Sequence, residues 1–279
     1  MWKNKEKSTP IVEFLGWTLF ISLLVELTLF LLEPWSIAFI ENGKLTFGYA
    51  IYAIIGMFFS TPTPFIALLI TLRRNENISM KEYFKRIIHT PKPLTTIIIT
   101  GLFCVGALIF ALCCGVPNGS QWYMMPLGFV VMLPFVGIAE EVGWRGFLQP
   151  ELEKKLPFPI ATSITAVIWY VWHLPIWAMP SSNHYGDSLI GFAITIFVWA
   201  FVSGAIYKAT KSVLACAAYH SFINSIGAIY DWNLLFDAYP KSNGMLLYFG
   251  MIFVIAIFIW IVADRKEKAS KNEKNIIVL

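Results

Sequence analysis

The chain has 279 residues, of which 57% are hydrophobic and only 14% charged, and its mean hydropathy is +0.66. A soluble domain carries about 25% charged residues, so this composition excludes an ordinary soluble fold and indicates a polytopic membrane protein. The net charge is only +4, and its basic residues lie in short loops rather than on one extended face, which excludes a nucleic-acid-binding surface.

The N-terminus is basic, with Lys3, Lys5 and Lys7, and an apolar run follows from about Ile11 to Leu32. That run is too long for a signal-peptide core and no small-residue cleavage site follows, so it reads as a retained first span. Glu26 sits in its interior and should face the bundle, paired with a polar group on a neighbouring helix. Residues 33–47 read as a polar loop. The second span runs from about Phe47 to Leu72, and Thr61-Pro62-Thr63-Pro64 should kink or interrupt it. In the basic loop from Arg73 to Lys92, Ser79-Met80-Lys81-Glu82 has the form of a capping box. Met80, Tyr83, Phe84, Ile87 and Ile88 follow at helical spacing. This predicts a short amphipathic helix that lies on the cytoplasmic membrane surface or docks its apolar face on the bundle.

The third span is predicted over about Leu94 to Val116, with an uncharged turn after it. The fourth starts near Trp122 and should continue through Pro134 to Phe147 or Leu148, with residues 150–159 as the connecting loop. The fifth covers about Ile160 to Met179, the sixth Ser188 to Tyr207, the seventh Ser212 to Tyr230 and the eighth Gly244 to Ala263, followed by a charged tail. Eight spans place Lys3, Lys5, Lys7, the Arg73–Lys92 loop, Lys154, Lys155, Lys208, Lys211 and the tail on one side, and only Lys44 and Lys241 on the other. The positive-inside rule then puts both termini in the cytoplasm, most simply at the cell membrane. The expectation is an all-α polytopic membrane protein: one membrane domain over residues 1–279, eight transmembrane helices, N-in and C-in. The four cysteines, Cys104, Cys113, Cys114 and Cys216, all fall in apolar runs and read as small buried hydrophobes.

Ionisable groups at depth are the functional signal, because each costs roughly 2.5–3.5 kcal/mol on insertion scales. In Glu140-Glu141-Val142-Gly143-Trp144-Arg145, Glu141 and Arg145 are four residues apart and share a helix face, so they can pair. Glu140 points about 100° away, without that partner. The fifth span carries His173, with Trp169 one turn before it, so the indole can pack beside the imidazole. The seventh carries His220 and Asn224, again four apart. At ~1.5 Å per residue Glu140 reaches roughly 15 Å, His220 roughly 13 Å and His173 roughly 20 Å into the membrane, depths compatible with one cavity. The plain alternative for each is a charge cluster at the membrane edge or a hydrogen-bonded core histidine.

A carboxylate, two imidazoles and an amide suit hydrolysis. A glutamate in a mostly apolar cavity acts as general base on water, and an asparagine amide can donate to a developing oxyanion. Glu140, His173 and His220 could instead hold a divalent metal such as zinc, since two His and one Glu with an open water position is a zinc-hydrolase set. The His-Glu-x-x-His helix of the common zinc proteases is absent.

These residues resemble the CPBP family of intramembrane proteases, the CAAX-protease and bacteriocin-processing (Abi) family. Its Glu-Glu-x-x-x-Arg motif matches Glu140 to Arg145. Its Phe-x-x-x-His motif matches Trp169 to His173, with Trp in place of Phe, and its His-x-x-x-Asn motif matches His220 to Asn224. The three occur in order, each on its own predicted span, and the resemblance covers a core of about 120–230. It implies an intramembrane endopeptidase in which Glu140 and His173 activate water, His220 and Asn224 stabilise the oxyanion, and Glu141, Arg145 and Trp169 support them. The family is often labelled a metalloprotease. A metal-free water mechanism is favoured here, because the asparagine already supplies the electrophilic help a metal would give. The implied partners are a peptide or protein substrate at the membrane and the lipid bilayer, in peptide maturation or bacteriocin self-immunity. The alternative is a non-enzymatic immunity or scaffold protein that sequesters a peptide or partner, and a weaker one is a proton-coupled transporter with Glu26 and Glu140 as relay groups.

Overall fold

The computed structural model describes residues 10–76, 78–182, 184–231 and 241–277. Lys3, Lys5, Lys7, the loop after Asp231, and the side chains of Lys241, Lys271 and Lys274, all used in the charge argument, lie outside the described residues. The architecture is a bundle of helices: α1 (Pro10–Asn42), α2 (Phe47–Ile55), α3 (Thr63–Glu76), α4 (Met80–Ile88), α5 (Pro93–Cys114), α6 (Met124–Glu153), α7 (Phe158–His173), α8 (Leu189–Thr210), α9 (Val213–Ile226) and α10 (Lys241–Ile277). Among the described residues six helices are long and apolar enough to cross a membrane. A seventh crossing results if α2 and α3, bent by 49° at their break, count as one. The chain is therefore an all-α polytopic membrane protein.

The faces explain the arrangement. On α1 the buried residues Phe14, Thr18, Ser22, Leu29, Glu33 and Ser36 recur at spacings of three, four and seven residues, one stripe of the helix. Leu23, Leu24, Leu27, Phe30 and Leu31 stay exposed, as a lipid-facing surface requires. Two apolar clusters form the interior. One joins Phe103 and Ala107 of α5, Val202 of α8, Cys216 and Tyr219 of α9 and Ile252 of α10. The other joins Phe14, Leu68, Tyr83, Trp144, Leu148, Trp169 and Ile196. The buried α9 packs on α5, α6 and α8.

Several boundaries differ from the expectation, each for a tertiary reason. The predicted loop at 33–47 is helical to Asn42, with Pro34 inside it. Glu33, which reads as a terminator, is buried, and its carboxylate accepts the Ser181 backbone N–H at 2.9 Å. Residues 150–153 are also helical rather than loop. A π-helical turn at Trp144–Leu148 precedes Pro150, and such a wide turn shifts the hydrogen-bond register so that a missing N–H can be tolerated. The charged tail continues α10 to Ile277, supported by Lys268–Asp264 one turn apart and by Glu267, which pairs with Lys208 of α8 and with Lys211 just beyond its end. The helix predicted over Ser212–Tyr230 is shorter, Val213–Ile226. Beyond it, Tyr230–Asp231 pairs antiparallel with Val116–Pro117, a two-residue ladder absent from the expectation.

The amphipathic α4 starts at the Ser79 cap, whose side chain accepts from the Glu82 N–H. Tyr83 and Ile87 are buried against the bundle, with the Tyr83 hydroxyl donating to the Phe65 carbonyl at 3.0 Å, while Phe84 and Ile88 stay exposed.

Gly137 controls how closely α6 approaches α9. A Cβ there would collide with the Ser221 hydroxyl and the Ala217 carbonyl. Small residues permit such close helix contact in membranes, and one turn further along lie Glu141 and His220. Gly137→Val is expected to destabilise the bundle by about 1–3 kcal/mol through overpacking, read as a lower melting temperature in detergent. An unchanged melting temperature would show that the contact is slack.

Candidate active site

Residues from α6, α7 and α9 meet at a cavity of about 580 Å³. Glu140, Trp169, His173, His220 and Asn224 all line it, with Ser60, Val136, Phe192 and Ile223 among the other wall residues. Glu140 lies just after a second π-helical stretch, Leu133–Ile138. Pro134 falls in that stretch; widened turns of this kind re-aim the side chains that follow them. Glu140, Glu141, Arg145, Trp169 and His220 are each at most 4% exposed.

The two glutamates have separate partners. Arg145 donates through Nη1 to Glu141 Oε1 at 2.9 Å, the i,i+4 pair its spacing predicts. The same oxygen accepts from His220 Nδ1 at 3.1 Å. Glu140 is not left alone: its Oε2 accepts the Trp169 indole N–H at 2.7 Å. His173 Nδ1 donates to the Trp169 backbone carbonyl at 2.8 Å. A carbonyl only accepts, so the proton sits on Nδ1, and Nε2 of a neutral His173 carries the lone pair. Among the described residues the Asn224 amide has no intrachain hydrogen-bond partner, one turn beyond His220 on the same helix.

Trp169 is the hub of this arrangement. Its ring meets His220 edge-on at 5.3 Å between centroids, lies 5.9 Å from His173, and has the Arg145 guanidinium carbon 4.6 Å from its centre. Its place one turn before His173 predicts only that it packs on that imidazole. The contacts with Glu140 and Arg145 span 29 and 24 residues, and no local pattern carries them. A second pair also escapes the sequence reading. His184 Nδ1 lies 3.0 Å from Asp187 Oδ2 in the loop before α8, its ring stacks on Trp177, and both partners line the cavity.

A metal fits this geometry poorly. Among the described residues no three His, Cys, Asp or Glu side chains are grouped to hold a metal ion. Glu140, His173 and His220 each have one polar atom held by the protein itself, by Trp169 Nε1, the Trp169 carbonyl and Glu141. A ring N–H held by a carboxylate or a backbone carbonyl also orients metal-ligating histidines, so the poor fit rests on the missing three-residue grouping among the described residues.

Comparison with known proteins adds two findings. Residues 120–226 match the profile of a family described as Rce1-like, type II CAAX prenyl endopeptidase. The matched segment contains Glu140, Glu141, Arg145, Trp169, His173, His220 and Asn224. A curated relative, CAAX prenyl protease 2 of Methanococcus maripaludis, is 23% identical over 181 residues, covering 58% of this chain and 67% of the relative.

Proposed function

We propose, for a chain whose core makes it a membrane protease of the CAAX-protease (CPBP) family, that this cavity hydrolyses a peptide bond by a water activated without a metal. The observation that carries the reading is the convergence of Glu140, His173, His220 and Asn224, from three separate helices, on one cavity. Glu140 takes the proton of the attacking water, and Trp169 orients its carboxylate. His173 relays that proton through Nε2 to the leaving nitrogen, so that the tetrahedral intermediate collapses with cleavage of the C–N bond and the amine departs neutral. Asn224 donates to the oxyanion that forms on the scissile carbonyl. His220 joins it when its ring carries a proton on each nitrogen, Nδ1–H toward Glu141 and Nε2–H toward the oxyanion. Arg145 balances the Glu141 charge that holds this ring.

The substrate is a peptide presented at the membrane. The test uses purified protein in liposomes with two peptides of one sequence, one ending in a farnesylated CAAX motif and one unmodified, and reads products by mass spectrometry. Wild type is expected to cut at a single bond and the Glu140→Gln variant to leave the peptide intact. Peptide retained equally by both proteins and cut by neither would replace this reading with sequestration.

We further read α9 as a short crossing of 14 residues, about 21 Å, shielded inside the bundle, which completes eight passes with both termini cytoplasmic. Arg73, Arg74, Lys81, Lys85, Arg86, Lys154 and Lys155 then share the cytoplasmic side, opposite Lys44. Cysteines placed at 44 and 85 should label from opposite faces with an impermeant thiol reagent; labelling from one face would remove this topology.

A further inference from the structure

We infer that Glu26 receives a positively charged group of the peptide substrate, an ammonium or a guanidinium, inside the same cavity; this deepens the reading above and rests on the cavity being the peptide site. Glu26 is on α1, outside the three motif helices, yet it lines the cavity with Glu140. Among the described residues its polar partner is the Ser60 hydroxyl alone, which donates to Oε1 at 2.5 Å. Its other oxygen, Oε2, is buried and accepts no hydrogen bond from the described residues. No lysine or arginine is among the described residues lining the cavity, whereas three carboxyl groups are, Glu26, Glu140 and Asp187. Asp187 faces His184, and Glu140 holds the Trp169 indole. The buried Arg145 is committed to Glu141 and to the Trp169 ring. Of these three carboxyl groups, Glu26 alone has no positive or ring-nitrogen partner among the described residues.

An ionised carboxylate at membrane depth without a counter-ion is costly. A cation entering with the substrate supplies that counter-ion, and the low local dielectric strengthens the contact. The surroundings suit a cation as well. Ser60 ends a π-helical turn at the break before α3, where Pro62 and Pro64 contribute no N–H to the helix, and Ser60 and Thr61 both line the cavity. The Thr63 hydroxyl caps the Phe59 carbonyl at 2.6 Å, so the break holds its shape. Glu26 thereby selects a basic residue or a free amino terminus at one distance from the scissile bond.

The experiment separates binding from cleavage. A library of short random peptides, each made with Lys and with norleucine at one position, is offered to purified Glu140→Gln protein in nanodiscs, and the retained peptides are identified by mass spectrometry. Cationic members should be enriched over their neutral partners by roughly 10–100-fold, the span expected of a charged hydrogen bond. Adding Glu26→Gln, which keeps an acceptor for Ser60, should bring the ratio near one while neutral peptides bind as before, a control for folding. No enrichment in Glu140→Gln protein, or enrichment that survives Glu26→Gln, overturns the inference. So does a Glu26-dependent response of neutral peptides to sodium over choline without any preference for Lys, which would make this an inorganic cation site. Wild-type protein is given the same library. Enrichment without cleavage removes the hydrolytic mechanism and leaves the subsite standing, whereas cleavage without enrichment does the reverse.

Discussion

Glu140→Gln is expected to lower the turnover of a cleavable peptide by roughly 10²–10⁴-fold, the range a positioned general base contributes. The substitution is nearly isosteric. The glutamine carbonyl can still accept the Trp169 indole N–H that Glu140 Oε2 accepts at 2.7 Å, so packing and the hub contacts survive. What disappears is the basic oxygen that takes a proton from water. Peptide binding should therefore persist, and the loss should fall on kcat rather than KM. Single-turnover cleavage with protein in excess, read beside the melting temperature, checks it. Turnover close to wild type would assign the base elsewhere, with His173 next in line because its Nε2 is the lone-pair nitrogen at the cavity.

Arg145→Met should instead unfold the site. Arg145 and Glu141 are both fully buried and paired at 2.9 Å. Removing one member of a buried ion pair leaves an uncompensated charge and costs about 3–5 kcal/mol, while replacing both members by apolar residues is often neutral or stabilising. The single variant is thus expected to lose most of its thermal stability. Glu141→Leu with Arg145→Met should recover much of it. Activity should stay low in the recovered double variant, because His220 has lost the carboxylate that holds Nδ1 at 3.1 Å. Melting curves and peptide turnover on the same preparations check both halves. A double variant as active as wild type would show that Glu141 does not position His220.

The local pattern reaches a long way into this fold, and the places where it stops have a common cause. The break in the second apolar run is readable because two prolines in three residues remove helix donors wherever they occur. The α4 cap is readable because Ser79 and Glu82 are neighbours in space as soon as they are neighbours in sequence. Glu33-Pro34 and Pro150 mislead because a carboxylate or a proline ends a helix only when nothing else satisfies it. Here Ser181 and a π-helical turn do so. Trp169 is under-read because its contacts with Glu140 and Arg145 join different helices.

By itself the amino-acid sequence determined the membrane class, from the scarcity of charge, and the Glu141–Arg145 pair, from helical geometry alone. It also named the ionisable groups whose burial needs an explanation, and their motif spacing pointed to the protease family. Only the tertiary structure decided that Glu140, His173, His220 and Asn224 share one cavity, that Glu141 reaches His220, and that Glu26 joins the cavity wall. The physical reason is range. Helical periodicity relates residues up to about four positions apart, whereas these contacts depend on how closely α6 can approach α9, which a glycine at 137 permits and a larger side chain would not.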